Sequence, residues 1–494
     1  MGEVFPGPGV TFALAFAVAA SSGVAASCGP RELPPLGEVV LVVDTDLPVP
    51  RVASRLRVDT YTADAVWLDS RDIALPDARD WPASFSVQAT DDTRIRDVFV
   101  RVRLYGERTS AYRGTARLVR DGTDVTPKLE PAKDLAVDRL VALRLEPGVR
   151  GRARVVARGA CAGTAAVVEK GGMRTCLDRD RELAEVPRAE LEPELATPKT
   201  NVVGTLARTA CPSGTDPSRA CVEGGAFVLG TDDVSVVPDE KLPLSPERIV
   251  RVSTFSLDRD EVTVGRFRAA LAGGLTLPAD VGTSEGDLGT ELGSSCTFSK
   301  DPRGREDYAL TCVSWATARA FCTFVGGDLP SESQWEYAAT SAGRSGKTEL
   351  PWGDEPPTCD RAVYGRLALS GFPGSCEPTP GATLPEPSRG RGPLPAFVAG
   401  EPAAKGDVSA VGVRGLAGGV SEWTRDVAAR YDAPCWSARA TWLDPVCEGG
   451  ASDAHVVRGG GWGGTPITVR SVARFSSASQ TSLVGFRCAY GNAR

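Results

Sequence analysis

Cys312-Val313-Ser314-Trp315-Ala316-Thr317-Ala318-Arg319-Ala320-Phe321-Cys322, followed shortly by Leu329-Pro330-Ser331-Glu332-Ser333-Gln334-Trp335-Glu336-Tyr337-Ala338-Ala339, is the stretch on which the fold turns. Its first half reads as an amphipathic helix over 314–324, with Val313, Ala316, Ala320 and Phe324 near one face. The second half opens with Ser331 and Gln334 spaced as a capping box, in which each side chain satisfies an exposed backbone donor at a helix start. Another amphipathic helix is expected over 262–271. Around this stretch, from about residue 209 onward, Gly is frequent, Trp recurs and regular periodicity is sparse. Loops pinned by cysteines and aromatic anchors should therefore make up the rest.

Upstream, residues 37–177 read as an all-β sandwich. A β-branched run covers 38–43, and Val98, Val100, Val102 and Leu104 alternate with Arg101 and Arg103. Further strands are expected over 112–119, 139–145 and 153–157, between turn signals such as Asp121-Gly122 and Pro147-Gly148. Period-two alternation sends one set of side chains into a core and the other into water. Several such strands without a helical pattern fit a sandwich, and nothing in them points to catalysis. The Glu- and Pro-rich segment 178–208 reads as a linker with a little helix around 181–184. Cys161 and Cys176 should staple a loop at the end of the sandwich.

A length of 494 residues implies two or three cores. Apolar residues at 42% and charged residues at 24% are a globular profile. A net charge of -7 without any long basic run argues against a nucleic-acid partner. His455 is the one histidine, so a His-rich zinc or iron centre cannot be assembled; it is expected to be a plain surface or strand residue. Of the 13 cysteines, setting Cys28 aside leaves 12. Sequence distance suggests Cys161–Cys176, Cys211–Cys221, Cys296–Cys312, Cys359–Cys376 and Cys435–Cys447, leaving Cys322 for Cys488, although spacing does not fix connectivity. Cysteines set two by two around Gly- and Pro-rich loops point to an oxidising compartment. At the N-terminus, residues 10–20 have the length of a signal-peptide core and are too short to span a bilayer. Val24-Ala25-Ala26-Ser27-Cys28 resembles a bacterial lipobox, with Cys28 as the lipidated residue, although Ala25 stands where Leu is usual and no Lys or Arg precedes the core. Residues 1–28 are therefore expected to export the chain and anchor it through acyl groups; an ordinary cleaved signal or a wrong start codon is the other reading.

Seven blocks occur in order: Gly225-Ala226-Phe227-Val228-Leu229-Gly230; Phe255-Ser256-Leu257-Asp258 with Glu261-Val262-Thr263 and Phe267; the stretch quoted above; Pro351-Trp352-Gly353; Gly415-Leu416-Ala417-Gly418-Gly419-Val420-Ser421-Glu422-Trp423; Val457-Arg458-Gly459-Gly460-Gly461-Trp462; and Gly485-Phe486-Arg487-Cys488. Together they resemble the formylglycine-generating enzyme, or sulfatase-modifying factor, family over 209–494. The resemblance implies an α+β chain with that family's C-type lectin-like fold and little regular secondary structure, here preceded by the all-β sandwich. In it Trp335, Trp352 and Trp423 are expected in the core and Trp462 on a groove, while Gly459 to Gly461 permit positive φ or close backbone approach.

Enzymes of this family oxidise a cysteine of a sulfatase peptide to formylglycine with a copper ion held by two cysteines, because soft thiolates stabilise copper(I). Matching the family pattern to Val472-Ala473-Arg474 puts those two positions on Pro466 and Ser471. Neither supplies a thiolate, so no copper and no oxidation by the family mechanism are expected. Calcium is the metal the resemblance leaves open, at Glu422, Gly418 and Val420, with Gly415 lacking one usual side-chain ligand and Gly419 replacing an Asn. The leading expectation is a non-catalytic, exported, membrane-anchored protein whose groove around Trp462, Ser471 and Arg474 binds a peptide or an envelope protein. An enzyme in the same pocket, either the family oxidase or a Ser471 nucleophile served by His455, is one alternative. A structural envelope lipoprotein is the other.

Overall fold

The structure is a computed structural model, and it describes residues 36–90, 93–106, 119–120, 123–124, 132–177, 182–192, 202–214, 216–233, 239, 242–283, 296–365, 406–437, 443–449 and 453–491. The signal core, Cys28, Cys376 and residues 112–118 of one expected strand lie outside these residues.

The N-terminal part contains β1 (Glu38–Thr45), β2 (Arg55–Thr62), β3 (Trp67–Ala74), β4 (Ala83–Gln88), β5 (Arg96–Tyr105), the short pair β6 (Val119–Arg120) and β7 (Thr123–Asp124), β8 (Ala136–Leu145), β9 (Arg150–Ala157), β10 (Arg174–Cys176) and β11 (Leu183–Glu185). Two sheets, ordered β4-β1-β9 and β3-β2-β5-β8, face each other. The alternating aliphatics bury between them: Val39, Leu41 and Val43 from β1 meet Val98, Val100, Val102 and Leu104 from β5. The opposite face of β5 departs from expectation. Arg101 and Arg103 are buried, not in water, because Asp59 and Asp138 on the neighbouring strands neutralise them at 2.6 and 2.5 Å. The Cys161–Cys176 segment closes over this layer, with Ala166 N–H donating to Asp138 at 3.0 Å and Leu140 N–H to Thr175 at 2.9 Å.

The described residues of the segment expected to be a linker, 182–192 and 202–208, are instead docked structure. Residues 183–185 are β11, paired antiparallel with β10, where a short helix was expected. Beyond it, Ala189 N–H bonds Ala142 O and Glu192 N–H bonds Arg152 O, and Leu206 packs into the sandwich core. Backbone groups that find strand partners have no reason to stay in solvent.

The C-terminal part is built from β12 (Arg219–Val222), β13 (Gly225–Leu229), β14 (Arg248–Val252), β15 (Phe255–Asp258), α1 (Val264–Ala272), α2 (Trp315–Phe324), α3 (Glu332–Thr340), β16 (Ser421–Val427), α4 (Pro434–Ser437), β17 (His455–Arg458), β18 (Arg474–Ser477), β19 (Val484–Gly485) and β20 (Ala489–Gly491). Its sheets are small: β12-β15-β20, β13-β14 and β18-β17-β16-β19. Both α2 and α3 begin at serine caps, and the Ser331/Gln334 capping box forms with both of its bonds. In α2 the buried face is Thr317, Ala318, Phe321 and Cys322, whereas Ala316 and Phe324 are exposed. The Cys322–Cys488 disulfide turns that side inward and so overrides the face read from the sequence. The two parts share a core, since Ala226 and Ile249 of β13 and β14 belong to the sandwich cluster. Arg51 crosses the joint, donating to the carbonyls of Ser341 and Arg344 at 2.6 and 3.1 Å.

Candidate functional site

Helix α3 projects Glu332 and Glu336 from successive turns into the interior, four residues apart and therefore on one face. Arg474, at the start of β18, grips Glu332 with two bonds of 2.7 and 2.6 Å. Arg458, at the end of β17, donates to Glu332 at 3.2 Å and Glu336 at 2.6 Å. Lys347 closes the set at 2.8 Å from Glu336. The four arginine and glutamate side chains are fully buried, so each charge depends on the others for the solvation it has lost. Arg458 also donates to the carbonyls of Ser471 and Val472, at 2.8 and 3.1 Å. This framework therefore fixes the backbone at Ser471, the position that the family resemblance assigns to the second copper cysteine.

Ser471 sits in a run of turns from Thr465 to Ala473, its N–H bonded to Glu349 O at 2.9 Å. Its hydroxyl is buried and finds no partner among the described residues. Pro466 is half-buried beside the exposed Ile467. The three expected groove residues all lie inside the body: Ser471 and Arg474 meet through the Arg458–Glu332 framework, while Trp462 packs with Ala309, Val363 and Val420. Trp462 is fully buried with its indole N–H on Ser482 O at 3.0 Å, Ser471 is enclosed, and Arg474 is spent on Glu332. Of the four tryptophans in the family blocks singled out above, Trp335 and Trp423 are in the core as expected, whereas Trp352, also expected there, is half-exposed. Gly459, Gly460 and Gly461 all take positive φ, at 96°, 78° and 55°, and a Cβ on Gly460 would strike Thr468 O. The chain can make this bend beside Trp462 only with glycine.

Among the described residues thiol chemistry has no donors. Cys161–Cys176, Cys211–Cys221, Cys296–Cys312, Cys322–Cys488 and Cys435–Cys447 are bonded as expected, and Cys359 is also disulfide-bonded. Every described cysteine is thereby committed, and the residues at 466 and 471 do not fit copper(I). His455 begins β17, stacked on Trp315 with ring centroids 3.7 Å apart. Its register partner is Ser477, so it does not stand at Ser471 as a base.

The calcium set does not fit either. Both oxygens of Glu422 accept from Arg487, at 2.6 to 2.9 Å, and Oε2 also accepts from the Trp335 indole at 2.9 Å. A guanidinium stands where a cation would have to approach. Gly415 has no side chain to offer, and the Glu261 carboxylate fills that space, with Oε1 about 2.6 Å from where a Cβ would be. Among the described residues no cluster of three or more His, Cys, Asp or Glu could hold a metal ion.

Several residues that shape this interior were not singled out from the sequence. Burial pushes the Glu261 carboxyl up to about 8, with the Glu422 charge adding to it against Arg487. Burial likewise lifts Asp407 and Asp426 to about 7. Glu261 lies inside a recognised block, so its position carried a signal; Asp407 and Lys347 lie in stretches with none.

A small-sheet domain stapled by disulfides around a buried ionic framework defines a formylglycine-generating-enzyme-like chain. The sulfatase-modifying factor enzyme 1-like domain matches residues 206–491, more than half of the chain, and the chain belongs to that family. Among its relatives, the inactive C-alpha-formylglycine-generating enzyme 2 of Bos taurus is 29% identical over 303 residues, covering 55% of this chain and 87% of the relative. The formylglycine-generating enzyme of the same species is 26% identical over 232 residues, covering 42% of this chain and only 56% of the enzyme's own length. A hercynine oxygenase of Mycolicibacterium thermoresistibile is 27% identical over 253 residues, or 48% of this chain and 50% of that protein. Among solved structures, PvdO from Pseudomonas aeruginosa aligns with a TM-score of 0.39 and 22% identity, covering 55% of this chain and 93% of that one.

Proposed function

We propose that this chain is an exported, non-catalytic member of its family that works by binding a peptide or an envelope protein, held at the membrane through Cys28. The observation that carries the reading is chemical: each described cysteine is tied in a disulfide, and by the family resemblance the two thiolate positions fall on Pro466 and Ser471, which carry no thiol. A fold kept intact around a site without its ligands is what a binding protein of this family would look like. The similarity to relatives named inactive in two mammals supports the same view. Disulfides on this scale fit an oxidising compartment outside the cytosol, and no described helix is long and apolar enough to cross a membrane.

The test is a cysteine-peptide oxidation assay on the full chain with copper and oxygen. No formylglycine product is expected, and turnover comparable to an active family member would end the proposal. The variant Pro466→Cys/Ser471→Cys should gain copper(I) binding if the alignment of these positions is right. Anchoring is checked separately by replacing Cys28 with Ser and following the chain from the membrane to the soluble fraction.

A further inference from the structure

Since Trp462, Ser471 and Arg474 are enclosed, a recognition surface has to lie elsewhere. Behind α3, between its first turn, the C-terminal end of α2 and strand β20, a half-enclosed cavity of about 840 Å³ opens. Phe255, Leu329, Leu443 and Ala489 give it apolar walls, and Gln334 and Gly491 line it with polar groups.

The backbone of β20 is the informative part. Ala489 exchanges both of its main-chain bonds with Asp328, at 3.0 and 2.8 Å. In an antiparallel ladder residues two apart present N–H and C=O to the same edge, so Gly491 directs its own pair to that side. Antiparallel register would set Gly326 opposite, yet Gly326 is the left-handed turn after α2, with φ of 84° and its N–H given to Thr323 O. Pairing therefore stops after one rung, and the edge of β20 runs on into the cavity. No atom stands within 4 Å of a Cβ built on Gly491, so neither crowding nor a positive φ requires glycine there. A bare backbone in a strand, facing open space, suits close approach by another backbone.

The side chains favour the same occupant. The Gln334 carboxamide accepts from Ser331 N–H at 2.9 Å through its oxygen. Its NH₂ has no bond among the described residues and faces the cavity wall as a donor for a peptide carbonyl. The three charged groups of the lining are already engaged: Asp328 by Arg319 at 2.9 and 3.0 Å, Arg425 by Glu448 at 3.1 Å, and Asp444 by Ser253 at 2.6 Å. With each of these groups already partnered, the described lining of the cavity offers no uncommitted charge around which an ion or a phosphate would be selected.

The geometry points to this cavity as the binding site for an extended peptide with uncharged, partly apolar side chains, which adds to the free edge of β20 at Gly491. Edge addition supplies main-chain bonds for affinity and side-chain pockets for selectivity, and the volume lies in the range of ligand sites. The assignment rests on the binding role proposed above and locates it.

The experiment pans a random octapeptide display library on the full chain and measures an enriched peptide by fluorescence anisotropy. Gly491→Phe places a ring in the open space and should leave the melting temperature unchanged while weakening the peptide by about tenfold or more. In the unaltered chain, hydrogen exchange of the Gly491 N–H should slow when peptide is bound, a readout independent of any substitution. Peptide that binds Gly491→Phe as tightly as the parent, with Gly491 N–H unprotected, overturns this site and leaves peptide binding standing. A library that yields no binder at all overturns both.

Discussion

The sandwich and the C-terminal domain bury different things. Between the sheets of the sandwich lie aliphatic side chains, and its ion pairs, Arg101–Asp59 and Arg103–Asp138, sit on the outer face of one sheet. At the heart of the C-terminal domain lie whole charged networks: Glu332 and Glu336 with Arg458, Arg474 and Lys347, and Glu422 with Arg487. An area-driven core loses stability in proportion to what is cut from it. A charged core depends on mutual compensation, so removing one member costs more than the member's own contacts. The lesson is that a domain with short strands and long loops holds its shape by covalent and ionic constraint, where the sandwich relies on packing.

Disulfides offer the sharpest way to test that difference. Cys322–Cys488 joins residues 166 apart, whereas Cys161–Cys176 joins residues 15 apart. By loop-closure entropy, Cys322→Ala/Cys488→Ala should cost about 5 kcal/mol and Cys161→Ala/Cys176→Ala about 3 kcal/mol. Denaturant unfolding of both variants checks this, and equal costs would remove constraint as the distinguishing feature. Next in size, Glu332→Ala strands Arg474 and Arg458 and should cost about 4 kcal/mol. Pairing it with Arg474→Met should recover part of that loss; no recovery would mean that packing, not stranded charge, was at stake. In the sandwich, Leu104→Ala leaves only a cavity and should cost about 3 kcal/mol, with no partner substitution able to restore it.

The same contrast explains what the sequence made legible. Strands β1, β5, β8 and β9 could be read because a half-buried strand writes its burial as alternation. Helix α3 could be read because its cap is local, Ser331 bonding the Gln334 N–H three residues on; α2 was legible from apolar spacing alone, and the Ser314 cap that opens it went unread. The pairings of Cys322 with Cys488 and its neighbours followed from arithmetic over the whole chain. What failed was everything decided by distant partners. Arg101 and Arg103 read as solvent-facing because Asp59 and Asp138 lie on other strands. Residues 182–192 read as a linker because the strand edges that receive them, at Ala142 and Arg152, are not local. Trp462 and Arg474 read as groove residues because family blocks give order along the chain and do not give depth. The positions of Pro466 and Ser471 were legible as residue types, while the enclosure of Ser471 by Arg458 and Glu349 was not.

A pH dependence, gradual where the substitutions above act at once, separates the two regions by the direction of their buried carboxylates. In the sandwich, burial pushes Asp59 up, but Arg101 and Arg57 outweigh it and hold the carboxyl below its usual range. Its contribution is present above the unfolded value and is lost as pH falls through the folded one. In the C-terminal domain burial wins at Glu261, whose carboxyl rises from 4.5 to about 8. The folded state then binds a proton that the unfolded chain releases. Stability from this group is full below about 4.5 and drains away as pH rises through about 8. A single proton gives a slope of at most about 1.4 kcal/mol per pH unit. Glu261→Gln is neutral at every pH, so its stability relative to the parent should increase steadily from pH 5 to pH 9. Asp59→Asn should do the reverse, losing least in acid and most at neutral pH. Thermal melts of the three proteins from about pH 2 to about pH 9 decide the matter, because the Asp59 contribution drains away only in acid below its usual range: a Glu261→Gln gap that stays constant above about pH 5 means the carboxylate is ionised in the fold and Arg487 compensates two acids at once.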